Sequence, residues 1–135
     1  MIDFLDAKRV AGMLSAVGEP TRMMILYRLA LGPHHVGQLA EMLKVPMVNM
    51  SHHLGVMRQA GLLEDEKDGR RVVYRFRPEI FTPPSGSDPD VLATLTLGVY
   101  RLVLRKGGNG AGIRARSKRK PARKPAPKPA VPAGD

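Results

Sequence analysis

The sequence predicts a mainly α-helical fold with one small β-hairpin, because two different periodicities follow one another along the chain. As far as Ala60, apolar residues recur three and four positions apart, which is the spacing of amphipathic helices. Beyond it, two strand-like segments flank Asp68-Gly69, a hairpin-turn signal. In the second segment the apolar Val72, Tyr74 and Phe76 stand at every other position, which is the spacing of a strand with one apolar face. A last helical pattern reaches Lys106, so the predicted order of elements is α1-α2-α3-α4-β-β-α5.

Glycine and proline residues separate the four predicted N-terminal helices. Gly18 and Pro20 lie between the first two, Gly32-Pro33 ends the second, and Gly61 is a typical C-terminal stop for the fourth. The second helix is apolar on most sides and should therefore lie at the centre of the core. These signals predict helices over residues 2–17, 21–31, 36–43 and 47–60.

The region after the fourth helix is predicted to hold two strands, a linker and a fifth helix. Strands over 62–67 and 70–77 are followed by a Pro/Ser/Gly-rich linker over 82–89, and Ser87 or Asp88 would cap the last helix. That helix is apolar on two sides and needs two partners, one of which we expect to be a second subunit. We therefore predict a dimer whose interface contains Leu5, Leu92, Leu95, Val99, Leu102 and Val103.

The turn Lys44-Val45-Pro46 joins two short helices, which predicts a helix-turn-helix followed directly by a hairpin wing. In its second helix, Met50, Leu54 and Met57 share the core side. The short polar side chains of the opposite face would approach base edges in the major groove, where asparagine can pair with adenine. The predicted contacts with double-stranded DNA come from Met47, Val48, Asn49, Ser51, His52 and Arg58 of this helix and from Arg70 and Arg71 at the tip of the wing.

Positive charge is concentrated at the C-terminal end of the chain. The formal net charge is +10, and residues 107–135 hold 8 Lys/Arg against a single Asp. A basic excess indicates a polyanionic partner. We predict a DNA-binding and dimerisation domain over 1–106 and a disordered basic tail over 107–135. The tail would contact phosphates without sequence choice through Arg114, Arg116, Lys118, Arg119, Lys120, Arg123, Lys124 and Lys128.

Several motifs in the right order resemble the ArsR (arsenic-resistance repressor) family of winged helix regulators. The resemblance covers residues 14–77 and rests on Glu19-Pro20-Thr21-Arg22, Ser51-His52-His53-Leu54, Arg58-Gln59-Ala60-Gly61-Leu62 and Gly69-Arg70-Arg71-Val72-Val73-Tyr74-Arg75. It implies a homodimeric repressor that binds an inverted-repeat operator, with the first and fifth helices at the dimer interface. The Lys/Pro/Ala spacing of the tail is instead similar to the tails of linker histones.

The sequence departs from the family's pattern at two kinds of position. Met47 and Val48 stand where the family often has Gln and Ser at the start of the recognition helix, so readout would rely more on thymine methyl groups or DNA shape. Many members bind metal through Cys-Val-Cys, where this chain has His35, Val36 and Gly37, and the predicted fifth helix contains no His. Neither metal site is intact, and we predict no metal and no cofactor.

Other residues favour structural roles over chemical ones. The adjacent His34 and His35 lack a carboxylate pair and are expected to be exposed or capping, and His53 is expected to make a structural hydrogen bond. No catalytic constellation stands out, so we predict that the protein is not an enzyme. With no cysteine, signal core or apolar stretch long enough to span a membrane, we expect a soluble cytoplasmic protein located at the nucleoid.

Three interpretations of the whole chain stay open at this point. It is a sequence-specific repressor, an architectural nucleoid protein with little sequence preference, or a protein-interaction module whose helix no longer reads DNA. The tail is a DNA-binding arm, a segment for acidic lipid or RNA, or a solubility tail. Whether a small-molecule inducer exists is also open.

Overall fold

The computed structural model describes residues 2–107 and confirms the four helices and the first hairpin, each within two residues of its predicted bounds. Two very short strands and a second long hairpin were not predicted. In chain order the elements are α1 (Phe4–Val17), α2 (Pro20–Ala30), β1 (His34–His35), α3 (Val36–Leu43), α4 (Met47–Gln59), β2 (Leu63–Asp68), β3 (Arg71–Phe76), β4 (Phe81–Thr82), β5 (Val91–Leu97) and β6 (Tyr100–Arg105).

The predicted fifth helix is wrong, because this segment forms the β5–β6 hairpin. Ala93, Leu95 and Leu97 are buried and alternate with partly exposed residues, which is the period of a strand. Gly98, with a φ of +65°, occupies the first position of the two-residue turn between the paired residues Leu97 and Tyr100. The Leu/Val spacing that indicated a helix is thus distributed over two strands.

The prediction that Ser87 or Asp88 caps a helix is wrong for the same reason. Asp88 accepts a hydrogen bond from the backbone N–H of Asp90 and forms an ion pair with Arg105, which ties the start of β5 to the end of β6. The side-chain hydrogen bond from Arg105 holds the pKa of Asp88 below its ordinary value. The carboxylate therefore closes the open end of the hairpin.

Two antiparallel three-stranded sheets result, with strand orders β1-β3-β2 and β4-β5-β6. In the first sheet, Asp68 pairs with Arg71, so the residues at the tip of the turn are Gly69 and Arg70. The β1 strand pairs with β3 and immediately precedes α3. The base of the wing is therefore attached to the start of the helix-turn-helix.

One apolar core joins the helices to both sheets among the described residues. It includes Ile25 and Leu26 of α2, Leu39 of α3 and Leu54 of α4, all at most 1% exposed. The second sheet contributes residues to the same cluster, including Leu95 and Leu97. The apolar α2 is central, as its composition predicts, and no helix within residues 2–107 is long and apolar enough to cross a membrane.

A matched pair of glycine substitutions tests the hairpin against the helix that the sequence suggested. Gly98→Ala should destabilise the protein by at least about 1 kcal/mol, because alanine is strained at positive φ. Its Cβ would also lie 2.9 Å from Cγ2 of Val10. Gly12→Ala, in α1 with nothing within 4 Å of the added Cβ, should stabilise it by about 0.5–1 kcal/mol. Denaturant unfolding measures both, and stabilisation by Gly98→Ala would support a helix instead.

Candidate nucleic-acid interface

The orientation of α4 is fixed by three side chains on its inner face. Met50, Leu54 and Met57 are each 0% exposed and lie in the core cluster. Their spacing of four and three residues keeps them on one side of the helix. Because this side is fully buried, the opposite side of the helix is directed toward solvent.

The predicted base-contacting residues all lie on the exposed surface of α4. Val48 is 81% exposed and Met47 is 54% exposed, while Asn49, Ser51 and His52 are also exposed. Together they make a surface of short polar groups and two apolar side chains around the first turns of the helix. Such a surface can approach base edges with hydrogen-bonding groups and with methyl groups.

The turn that positions α4 depends on one residue in the left-handed region. Lys44 ends α3 with a φ of 58° and a ψ of 46°. This conformation lets the backbone N–H of Val45 donate to the carbonyl oxygen of Ala40 at 2.9 Å. Pro46 then precedes α4, so the chain reverses within three residues and sets α3 against α4.

A groove of about 490 Å³ lies between α3, the start of α4 and the wing. Its lining includes Ser51 of α4, Arg70 and Arg71 of the wing tip, and Gln38 and Glu41 of α3. Gln38 was not among the residues predicted for the site, and its Oε1 accepts a hydrogen bond from the backbone N–H of His35 at 2.8 Å. Its position three residues after the residue that precedes α3 was the available signal.

The arginines of the wing fall into two groups. Arg75 contacts Glu66 at 3.0 Å, and Arg77 contacts Glu79 at 2.6 Å, so both cations are matched by carboxylates. Arg70 and Arg71 are exposed and take part in none of the ion pairs found within residues 2–107. The tip of the wing therefore carries two cations that an outside anion can neutralise.

Arg58 lies at the far end of α4, where its side chain is exposed beside the hydroxyl of Tyr74. Burial raises the pKa of Tyr74 above its ordinary value, and Asp65 adds to this while Arg58 opposes it. Arg58 is thus about two turns of helix beyond Ser51 of the groove, in a position suited to a phosphate rather than to a base.

A junction centred on Arg22 joins three helices behind this surface. Its Nε donates to the carbonyl oxygen of Ala16 at the end of α1, and its Nη1 donates to Nδ1 of His53 in α4 at 3.1 Å. Because arginine has only donors, Nδ1 of His53 is the acceptor, and the 3.9 Å separation from Glu19 is too long for a hydrogen bond. The predicted structural role of His53 is confirmed, whereas the role of Arg22 was not anticipated.

The two histidines before α3 make local contacts. Nδ1 of His34 lies 2.7 Å from the carbonyl oxygen of Gly32, and Nε2 of His35 lies 3.7 Å from Asp68. Within residues 2–107 no group of three or more His, Cys, Asp or Glu side chains could hold a metal ion.

The residues predicted for a dimer interface are not on a common face. Leu95 is fully buried in the chain's own core, whereas Leu5 is 73% exposed on α1 and Val99 is 67% exposed at the hairpin turn. Val103 is exposed, and Leu92 and Leu102 are half-buried. The tail residues predicted to bind phosphates lie outside the described residues.

Four helices, a tight turn before the exposed helix and a hairpin with a cationic tip define a winged helix-turn-helix protein. Residues 19–65 match the family described as bacterial regulatory protein, arsR family. The chain belongs to this family, as its motifs indicated.

Three curated relatives carry regulator or repressor names. The HTH-type transcriptional regulator NmtR of Mycobacterium tuberculosis is 40% identical over 73 residues, which are 54% of this chain and 61% of NmtR. The biofilm growth-associated repressor of Agrobacterium fabrum is 33% identical over 52% of this chain and 60% of its own length. YgaV of Escherichia coli is 31% identical over 55% of this chain and 76% of YgaV. The chain thus spans about three fifths of the first two relatives.

One solved structure that this chain is similar to is a homodimer. The homodimeric winged helix-turn-helix DNA-binding domain of Mb0332 from Mycobacterium bovis matches with a TM-score of 0.50 and 28% identity. The match covers 52% of this chain and 65% of that domain.

The Arg22 junction predicts a pH-dependent contribution from Glu19, whose Oε1 accepts a hydrogen bond from the backbone N–H of Arg22 at 2.8 Å. This bond holds the pKa of Glu19 below its ordinary value of 4.5. A lowered pKa stabilises the fold above the unfolded-state value, and the stabilisation is lost as the pH falls through the folded-state value. Glu19→Ala should therefore lower the melting temperature at pH 7 and have a smaller effect at pH 3.

Glu41→Ala is the matched control, because its carboxylate makes no hydrogen bond or ion pair to the residues that the structure describes. Thermal unfolding monitored by circular dichroism at several pH values compares the two variants. Glu19 is the N-cap residue of α2, and an equal effect of Glu19→Ala at pH 7 and pH 3 would contradict this role of its carboxylate.

Proposed function

We propose that this protein is a sequence-specific DNA-binding transcriptional repressor that binds an inverted-repeat operator as a homodimer. The observation that carries the proposal is the complete burial of the inner face of α4, which leaves Asn49 and Ser51 exposed, with Ser51 in the same groove as Arg70 and Arg71 of the wing tip. The family membership and the repressor relatives support the same function.

Base recognition in this proposal uses the first turns of α4 in the major groove. The carboxamide of Asn49 would pair with an adenine edge, and the hydroxyl of Ser51 would donate to or accept from a neighbouring base. Met47 and Val48 are strongly exposed at the start of the helix and would contact thymine methyl groups. His52 would lie at the side of the same contact surface.

The DNA backbone would occupy the groove between α4 and the wing. Arg70 and Arg71 would each neutralise a phosphate, while Gln38 would offer a neutral polar group at the base of the groove. Glu41 is the one acidic residue in the groove lining and would be kept away from the phosphates at its α3 side. Arg58 would bind a separate phosphate beyond the far end of α4.

A homodimer supplies the second recognition helix. Two winged domains related by a two-fold axis would place their α4 helices about one helical turn of DNA apart and thus read an inverted repeat. The homodimeric domain of Mb0332 supports this assembly for the family. Binding at an operator that overlaps a promoter would exclude polymerase, and no step requires a cofactor.

We also propose that the basic segment 107–135 adds affinity without sequence choice. Its 8 Lys/Arg residues against one Asp make it a polycation, and phosphate contacts carry no sequence information. Sequence preference would then belong to α4 and the wing.

Selection from random duplex DNA by the full-length protein at about 150 mM salt tests the proposal, since phosphate-only binding is weakened there. We expect enrichment of one inverted repeat with half-sites about one helical turn apart. If unrelated duplexes bind equally well, the protein is architectural, an alternative that the apolar Met47 and Val48 would favour.

Substitutions on α4 should reduce affinity for the selected site. Asn49→Ala should weaken binding by about tenfold, because a bidentate base contact contributes about 1–3 kcal/mol of discrimination, and Ser51→Ala should weaken it less. Ser15→Ala on the exposed surface of α1 is the control for Ser51→Ala and should have no effect. Fluorescence anisotropy measures all three, and unchanged affinity for Asn49→Ala and Ser51→Ala would remove α4 from the interface.

Removing residues 107–135 should flatten the salt dependence of binding while leaving the selected sequence unchanged. Each lost phosphate contact lowers the slope of log affinity against log salt by about 0.9. Anisotropy titrations at four salt concentrations give the slope. Loss of sequence preference on truncation would show that the division between domain and tail is wrong.

A further inference from the structure

The second sheet ends in a free edge that no described residue covers. In the order β4-β5-β6, the last strand, β6, pairs on one side only. The two-residue turn makes Leu97 and Tyr100 a hydrogen-bonded pair, and Leu95 and Leu102 form the next one. The alternate residues Arg101 and Val103 therefore direct their backbone N–H and C=O groups away from β5.

This edge lacks the protection that the other sheet has. The outer strand of the wing, β2, consists of Leu63 followed by five charged residues, and charge on an edge discourages pairing with another chain. β6 has six residues without proline, and its charges are Arg101 and Arg105. Arg105 is already engaged by Asp88 and Asp90.

Apolar side chains are exposed along the same strand and its turn. Val99 is 67% exposed, Tyr100 is 53% exposed and Val103 is 46% exposed. An unpaired strand edge flanked by exposed apolar groups is a template for pairing with another strand.

We propose that β6 pairs antiparallel with β6 of a second copy of this chain, which joins the two second sheets into one six-stranded sheet across the dimer axis. The inference rests on the proposed function, which requires a homodimer, and it identifies the surface through which the two copies would contact each other. The family match ends at residue 65, so the second sheet lies beyond it. The hairpin stands where the sequence predicted a helix that would form this interface.

Two registers pair five of the six β6 residues with a copy of the same strand, and one of the two avoids opposing charges. Directly opposite residues of two antiparallel strands lie on the same face of the sheet. The two-fold axis must therefore pass midway between the two copies of a single residue, which lie directly opposite each other. Centring on Val103 places Arg101 opposite Arg105 of the second copy twice, and like charges in that position are destabilising. Centring on Leu102 places Leu102 opposite itself, Tyr100 opposite Leu104 and Arg101 opposite Val103, without opposing charges.

Proline at Val103 gives the first test, on the full-length protein. The N–H of Val103 is not used by β5, so Val103→Pro should preserve the fold, as proline does on edge strands. It removes a hydrogen bond to the second copy and should raise the dimer dissociation constant at least tenfold. Val103→Thr keeps the N–H and is the control. Analytical ultracentrifugation measures the constant, and circular dichroism confirms that both variants are folded.

A single introduced cysteine gives a second test that does not require a proline. The protein contains no cysteine, so any cross-link must come from the introduced residue. Leu102→Cys should form an intermolecular disulfide under mild oxidation, because residues facing each other across a non-hydrogen-bonded pair have the required spacing. Val103→Cys should cross-link poorly, since it faces Arg101 of the second copy in this register.

The outcomes separate this inference from the proposed function. A monomeric wild type would overturn both the inference and the homodimer of the proposed function. A Val103→Pro dimer with unchanged dissociation constant and no cross-link through Leu102→Cys would overturn the inference alone and indicate another interface, such as the exposed Phe4 and Leu5 of α1. Operator selection by the wild type would still stand in that case. Conversely, a dimer lost in Val103→Pro with no sequence preference in the wild type would support the inference and contradict the repressor function.

Discussion

Burial of one side of α4 is the constraint from which the rest of the interface follows. Three large side chains at helical spacing cannot all enter the core unless the helix takes a single rotation about its axis. That rotation exposes Asn49, Ser51 and His52, and the tight turn at Lys44 fixes where the helix begins. The protein can therefore present hydrogen-bonding groups to an outside partner on a rigid helix. Because the helix is already in position, no conformational entropy of its backbone is lost on binding.

Polar contacts refine this arrangement by deciding which charges are already matched. Arg22 donates hydrogen bonds to α1 and to α4, so it holds the helices together and is not available to an outside anion. Carboxylates likewise occupy Arg75, Arg77 and Arg105. Arg70 and Arg71 take part in none of the ion pairs found within residues 2–107, so the groove beside α4 holds two cations that an outside anion can neutralise.

The C-terminal part of the folded region separates two tasks that one helix was expected to perform. One face of the β5–β6 hairpin packs Leu95 and Leu97 into the common core, so the hairpin completes the domain. At its outer edge are backbone groups that no strand within residues 2–107 pairs with, and a helix would not have offered such groups. An assembly through a strand edge depends on backbone hydrogen bonds and register, whereas an assembly through helices depends on side-chain packing.

Local patterns in the sequence determined the four helices, the wing and the exposed surface of α4, because turn residues and a single periodicity agreed at each of them. They also indicated the unmatched cations Arg70 and Arg71. Between Leu92 and Val103 the sequence satisfied two periods at once, and the β-branched threonines and Gly98 were outweighed by leucines at helical spacing. Only the tertiary structure showed that this segment forms strands. The pairing of β5 with β4 and β6 and the burial of alternate residues depend on parts of the chain outside the segment's own pattern. The contacts of Arg22 and the place of Gln38 in the groove also required the fold, because they join residues that no local pattern connects.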